Sequence, residues 1–550
     1  SAASDVYKRQ IMILLFLAVT NVTAKNTPSP RIVNIINFIR QLEPRDSKIS
    51  EEVLYETVHK QVELLKKYNM RGTFLLQYDA LINPRYQSLL KEEVRRGTEV
   101  GGWWEITQPH VEAAGLEWRG RYPWDWHADV GFATGYIPEE REKLVDVYME
   151  KFKEIFGKYP ASIGSWFIDA HTLEYMHEKY GIVASCNCKD QYGTDGYTLW
   201  GGYWNQAYYP SRLNGYMPAQ TQEGQIPVPV FRMLGSDPIY QYDTGLGHSI
   251  QGVITLEPVY GDAGGSEKWV RRFFKSIFED PCIGFNYTQA GQENSFTWAG
   301  MEKGLEMQFP ILDSLIQTGD IRIETLEESG RWFKKKYPVT PPTSVTALTD
   351  TYDNGNRTVW FNSRFYRTNL LWNDRSIRFR DIQLFDERIE SDYLKQRGTS
   401  NQCVYTTCSI LDGFLWSTPD EYAAIRFYTI TDGVEKEVTL KNVEVKAIKD
   451  KKMQLHCVAT DQSVYTINLS EKQIEIKGKT PHTWMLKLGV ATGKTLPLKV
   501  KGDDSLTGEL KGIPYGIVCL KGNMKQSGNT VFLNPENNRL VVDCSFRNFK

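Results

Sequence analysis

Glu105, Asp169, Glu257 and Glu293 each follow a short apolar run that reads as a β-strand. Carboxyl groups gathered at strand ends are the equipment of glycosidic-bond chemistry. One protonates the leaving oxygen while another stabilises or attacks the anomeric carbon. Asn37, Arg40, Gln77, His171 and Asp237 occupy the same kind of position and could orient a sugar. Trp103, Trp104, Trp124, Trp126, Trp200 and Trp204, with His127, lie in or beside the intervening loops. Flat rings of this sort pair with the C–H faces of sugars while a few polar groups fix orientation. The chain holds 15 Trp and 30 Tyr, and eight of the Trp fall between Trp103 and Trp204, a clustering too local for core packing alone. Simpler roles compete. Asp169 directly precedes a helix and could be its N-cap. Glu293 could be a solvated loop acid, Glu105 needs a partner among its aromatic neighbours, and some Trp hold loops together.

The elements that would position these groups alternate. Residues 32–38, 72–76, 98–102, 162–168, 182–185, 228–233, 252–256, 283–286 and 320–324 read as strands. Helical spacing appears over 52–68, 86–96, 137–156, 171–180, 267–278, 301–315 and a stretch through Trp332. Repeated β-then-α units predict a parallel sheet with right-handed crossovers. Seven or eight units over about 300 residues favour a (β/α)7–8 barrel, whose ligands meet the C-terminal strand ends. No glycine-rich phosphate loop follows the first strand, which disfavours nucleotide-binding relatives of this architecture. The expected plan is an adapter-like leader and signal peptide over 1–24, a barrel over 25–338, a Pro-rich linker over 339–345 and a β-sandwich over 346–550. Beyond the linker the period changes to two, with turn signals such as Asp353-Asn354-Gly355.

The order of strand motifs resembles the polysaccharide deacetylase and glycoside hydrolase family 57-like barrels. The resemblance rests on Val33-Asn34-Ile35-Ile36-Asn37-Phe38, on Gly72-Thr73-Phe74-Leu75-Leu76-Gln77-Tyr78-Asp79, and on Gly97-Thr98-Glu99-Val100-Gly101-Gly102-Trp103-Trp104-Glu105. It spans about 300 residues and resembles a gut-bacterial branch of that superfamily. The departures fall on the chemistry. Asn37-Phe38 stands where deacetylases carry paired Asp, and Trp103 where they carry a first metal-binding His. Without those ligands a metal-activated water is hard to assemble. The hydrolase side of the resemblance implies a nucleophile at the end of strand four and an acid after strand seven. By strand order these are Asp169 and Glu293, with Glu105 and Glu257 as substitutes. The expectation is a glycoside hydrolase acting on an oligo- or polysaccharide. Its alternatives are a deacetylase with displaced ligands and a non-catalytic glycan-binding barrel.

The formal charge of -2 provides no basic field, so nucleic acid is not an expected partner. Lys8-Arg9, an apolar run over 11–19 and Val22-Thr23-Ala24 read as a signal peptide, so the protein is expected to be periplasmic or extracellular with no membrane span after cleavage. Eight Cys permit disulfides, Cys403 with Cys408 among them, although buried free thiols explain them equally well. None of the eight His has zinc-site spacing. Asp125-x-His127-x-Asp129 could present ligands, yet no cofactor is expected and a divalent metal is not indicated.

Overall fold

The structure, a computed structural model, describes residues 29–449 and 451–545. The expected signal peptide lies outside them. The first half is a curled parallel sheet built from β1 (Arg31–Ile39), β2 (Thr73–Leu76), β3 (Glu99–Trp103), β4 (Ser162–Gly164), β5 (Ala184–Asn187), β6 (Val230–Arg232) and β7 (Asn286–Ala290). Its order is β7-β1-β2-β3-β4-β5-β6, with β8 (Arg322–Glu324) also pairing β1 in parallel and the short strand Ala207–Tyr208 pairing β6 antiparallel at the edge. Every residue of β1 after the first is buried, as expected for a strand covered on both faces. The interleaved helices are α1 (Glu51–Lys67), α2 (Pro84–Arg95), α3 (Pro138–Phe156), α4 (Ala170–Tyr180), α5 (Glu267–Phe278), α6 (Trp298–Gln317) and α7 (Leu326–Lys336).

The expected closed barrel is an open one. Among the described residues no backbone ladder joins β6 to β7. Side chains span the seam instead: the Phe231 and Tyr287 rings lie 5.0 Å apart, and Leu234 N–H donates to Gln289 Oε1 at 2.8 Å. The expected strand over 252–256 does not form. This segment makes only an isolated bridge, Ser236 to Thr255, so Glu257 follows a loop. The run over 162–168 is strand only to Gly164, and the residues beyond it are free to turn into the cleft.

Local chemistry explains the boundaries. Gly101-Gly102 lets β3 press against its neighbours, because a Cβ on Gly102 would stand 2.6 Å from Ile163 and 2.9 Å from Tyr148. At α7, Thr325 and Glu328 form a reciprocal cap: Glu328 N–H donates to Thr325 Oγ1 at 3.3 Å, and Thr325 N–H to Glu328 Oε2 at 2.9 Å. Thr325→Ala is expected to cost about 1 kcal/mol of stability, readable by urea denaturation.

The C-terminal region is β-rich. A ten-stranded sheet begins with Thr343–Ala347, and an eight-stranded sheet runs from Leu440–Ile448 to Lys499–Lys501. The sheets meet through Phe427, Tyr465 and Trp484, whose rings pack at 5.4 Å and 5.4 Å about Tyr465. Burial alternates along strands such as Lys452–Ala459, the mark of one buried face. Thr340 and Pro341 are buried against the first half, where Tyr209 N–H donates to Thr340 Oγ1 at 2.9 Å and Tyr203 Oη to Pro341 O at 2.7 Å. The Pro-rich segment is thus docked along its length. Cys403 and Cys408 are both free thiols, so the bridge between them does not form. Among the described residues, no helix is long and apolar enough to cross a membrane.

Candidate active site

The loops after β1, β3, β5 and β7 converge on a cavity of about 400 Å³. Arg40, the residue after β1, organises one wall. Its Nε and Nη2 donate to both oxygens of Glu105 at 2.9 and 2.7 Å, and its Nη1 stands 2.9 Å from Glu293 Oε2. Glu43 lies 3.9 Å further round the same guanidinium. Trp124 covers it, with the guanidinium carbon 4.3 Å from the ring centroid. Burial works against this charge, yet Glu105 and Glu293 hold the Arg40 pKa above the ordinary guanidinium value. Burial likewise opposes ionisation of Glu43, but Arg45, bonded to it at 2.6 Å, and Arg40 pull its pKa below the usual carboxylate range.

Glu293 is the third acid around Arg40. Its pKa is raised, first by burial and further by the Glu105 charge, with Arg40 opposing. Ser295 Oγ donates to its Oε1 at 2.7 Å. Glu257 lies across Gln292, which donates from Nε2 to Glu257 Oε1 at 2.9 Å and accepts the Glu293 N–H at 2.8 Å. Burial raises the Glu257 pKa too, while Thr255, Gln292 and the Lys189 charge hold it down. Lys189 lines the cavity, is almost fully buried, and donates only at 3.3 Å to Asp190 O and 3.4 Å to Gln191 Oε1. Aromatic rings of Trp126, Phe132, Trp166, Tyr197 and Tyr260 line much of the remaining wall, with Asp195 and Asp46 among its polar residues. One enclosed space thus holds two carboxyl groups of raised pKa, a buried ammonium, and flat apolar faces of the width of a sugar ring.

The structure brings together six of the sequence candidates here: Glu105, Glu257, Glu293, Arg40, Trp124 and Trp126. Two more support them from behind. Gln77 donates from Nε2 to Glu105, and Asn37 Oδ1 accepts the Gln292 N–H at 3.2 Å. The others are elsewhere. Asp169 caps α4, accepting from Thr172 N at 2.9 Å and Arg141 Nη1 at 2.8 Å, and does not line the cavity. Trp103 stacks on Phe38 at 4.1 Å, and Trp104 packs against His110 and Tyr148 in the core. Trp200 donates to Asp412 at 2.8 Å, and Trp204 lies parallel to Trp360 at 3.7 Å; both tie the first half to the β-rich region. Asp237 orders its own loop through the N–H groups of Ile239 and Tyr240 and the Trp269 indole. His171 pairs with Glu142 at 3.1 Å, and His127 stands 4.0 Å from Asp125, which is committed to Arg121.

Sequence reasoning passed over Trp166, Lys189, Glu43 and Arg45 as site residues. Trp166 was hidden inside a strand expected to run to 168. Lys189 lies in the long insertion after β5, where spacing carries no signal for a buried base.

The metal of the deacetylase pattern does not fit this chain. Phe38 and Trp103, at the positions of its ligands, form a stacked pair with no donor atom between them. Among the described residues no group of three or more His, Cys, Asp or Glu is arranged to hold a metal ion.

No protein-family model matches the chain, and no curated protein matches it. Among solved structures, one from Parabacteroides distasonis assigned as a glycoside hydrolase/deacetylase matches with a TM-score of 0.51 at 16% identity, over 69% of this chain and 90% of that one. This likeness shows the fold. A structure from Mycobacterium smegmatis assigned as a polysaccharide deacetylase matches with a TM-score of 0.35 at 13% identity, over 57% of this chain and 93% of that one. The fold is therefore of the α/β type shared with the Parabacteroides protein, with β-rich structure in the C-terminal region.

Proposed function

We propose that this chain is an exported carbohydrate-active enzyme that hydrolyses glycosidic bonds in an oligo- or polysaccharide without a cofactor. The observation that supports it is the meeting of Glu257 and Glu293, two carboxyl groups of raised pKa, in one aromatic-walled cavity. Glu293 serves as the general acid. Glu43 and Glu105 already pair with Arg45 and Arg40, and burial and the Glu105 charge raise the Glu293 pKa, which suits it to carry the proton. Glu257 serves as the carboxylate, with the Lys189 ammonium favouring its ionised form. Glu105 positions Arg40 rather than touching the reacting atoms. The likeness to the Parabacteroides protein, itself assigned to glycan chemistry, agrees with this substrate class.

The test is reducing-end release from a panel of polysaccharides by the full chain, compared with Glu257→Gln and Glu293→Gln. Cleavage that disappears in both variants supports the reading. Acetate release without chain scission, or cleavage retained by both variants, overturns it. A pH profile adds a sign. Lys189→Met removes the charge that holds Glu257 ionised, so the Glu257 pKa rises. The acid limb of kcat/KM is expected to move to higher pH while the limb set by Glu293 stays in place.

A further inference from the structure

A second cavity, of about 390 Å³, lies where residues 239–243 run past the first β-rich sheet. Tyr240, Asp243, Trp372, Arg378, Tyr422 and Arg426 line it, and no residue lines both this cavity and the acid-bearing one. Its charges do not close among themselves. Arg378, with a side chain only 13% exposed, has Asp243 Oδ2 as its nearest acid at 3.6 Å. That oxygen already takes the closer bond of Arg380 Nη1, at 2.9 Å. Arg426 reaches Glu437 only at 3.8 Å. Arg378 and Arg380 thus share Asp243, and Arg378 has no carboxylate of its own within hydrogen-bond distance.

Hydrogen bonds are incomplete as well. Arg378 Nη1 and the Trp372 Nε1–H, both buried, lack partners in the protein. A buried guanidinium donor left unmet costs on the order of 1–3 kcal/mol, which a ligand acceptor would remove. Burial lowers the Arg378 pKa and Arg380 and Arg426 lower it further, a penalty that an anion would relieve. The ring of Tyr422, 39% exposed, lies 4.4 Å from the Arg378 guanidinium carbon. An aromatic face beside a half-paired arginine, with an indole N–H nearby, offers a flat apolar surface, a fork for two oxygens and a donor for a hydroxyl.

We propose that this cavity is a second carbohydrate site that takes a sugar residue bearing a carboxylate, a uronic acid, through Arg378 and Tyr422. A tether role for Arg378 between the sheet and residues 239–243 accounts for the Asp243 contact. It does not account for the length of that contact or for the unmet donors. The inference does not depend on the hydrolase reading, since none of its groups takes part in that chemistry.

The experiment is isothermal titration of the full chain with trigalacturonate, maltotriose and sodium sulfate, repeated on Arg378→Gln and Tyr422→Ala. Trigalacturonate is expected to bind, with affinity falling about tenfold or more in Arg378→Gln and about threefold to tenfold in Tyr422→Ala. Cleavage of the chain's own substrate is expected to be unchanged in both variants. Tyr422 is at the surface, so its variant keeps the test decisive if Arg378→Gln does not fold. Three results overturn the proposal: wild-type affinity for trigalacturonate in the folded variants, as binding in the other cavity alone would produce; equal affinity for maltotriose; or sulfate binding as tightly as the trisaccharide.

Discussion

Glu293→Gln is expected to lower turnover of natural glycans by about 10²–10⁴-fold, the usual contribution of a general acid. The substitution keeps the shape of the side chain, and Arg40 keeps its two-pronged pairing with Glu105, so the wall of the cavity stays in place. What disappears is the proton. A glycosidic oxygen leaving without it departs as an alkoxide, whereas a dinitrophenolate leaves readily. Activity on dinitrophenyl glycosides should therefore fall much less than activity on the polysaccharide. Equal loss on both substrates would assign Glu293 to binding or to the carboxylate role. The alkaline limb of the kcat/KM profile should vanish in the variant, because the group that deprotonates there has been removed. That limb should lie above the ordinary glutamate range, since burial and the Glu105 charge raise the Glu293 pKa.

Much of this was readable from residue order, and the failures have physical causes. Helices with clear periodicity match: Glu267–Phe278 forms over the residues expected, and α3, expected over 137–156, runs from Pro138 to Phe156. Buried parallel strands were visible as β-branched runs, but their ends were not. Periodicity does not show where a strand leaves the sheet, so Trp166 was assigned to β4 although β4 stops at Gly164. Glu105 and Glu293, which follow β3 and β7, do line one cavity because the sheet gathers those strand ends, and Glu257 joins them from a loop where a strand is expected. The strand-end rule also selected Asp169. It fails there because the first residue after a strand is often the N-cap of the next helix, and sequence alone does not separate the roles. The tryptophans divided in the same way: Trp124 and Trp126 reach the cleft, whereas Trp200 and Trp204 belong to contacts with a region far away in sequence.

Asp169→Ala separates those two roles and is expected to cost about 3–5 kcal/mol of stability, the penalty for leaving one half of a buried ion pair. Asp169 and Arg141 both have fully buried side chains and meet at 2.8 Å. Arg141 would keep its bonds to Tyr136 O at 2.7 Å, Tyr393 O at 2.6 Å and Gln396 O at 3.0 Å. It would lose its only carboxylate, and dipoles replace a counter-charge poorly in a dry interior. The helix would also lose its cap, since Asp169 accepts both the N–H and the hydroxyl of Thr172, at 2.9 and 2.6 Å. Because Arg141 also holds the 393–396 segment, the damage should reach the junction with the β-rich region. Urea denaturation should show the midpoint falling steeply, while kcat of the fraction that remains folded at 25 °C stays near the wild-type value. A variant of unchanged stability that no longer cleaves glycan would make Asp169 the reacting carboxylate and remove Glu257 from that role. The geometry argues for the first outcome: Asp169 is spent on Arg141 and Thr172 away from the cavity, whereas Glu257 and Glu293 line it.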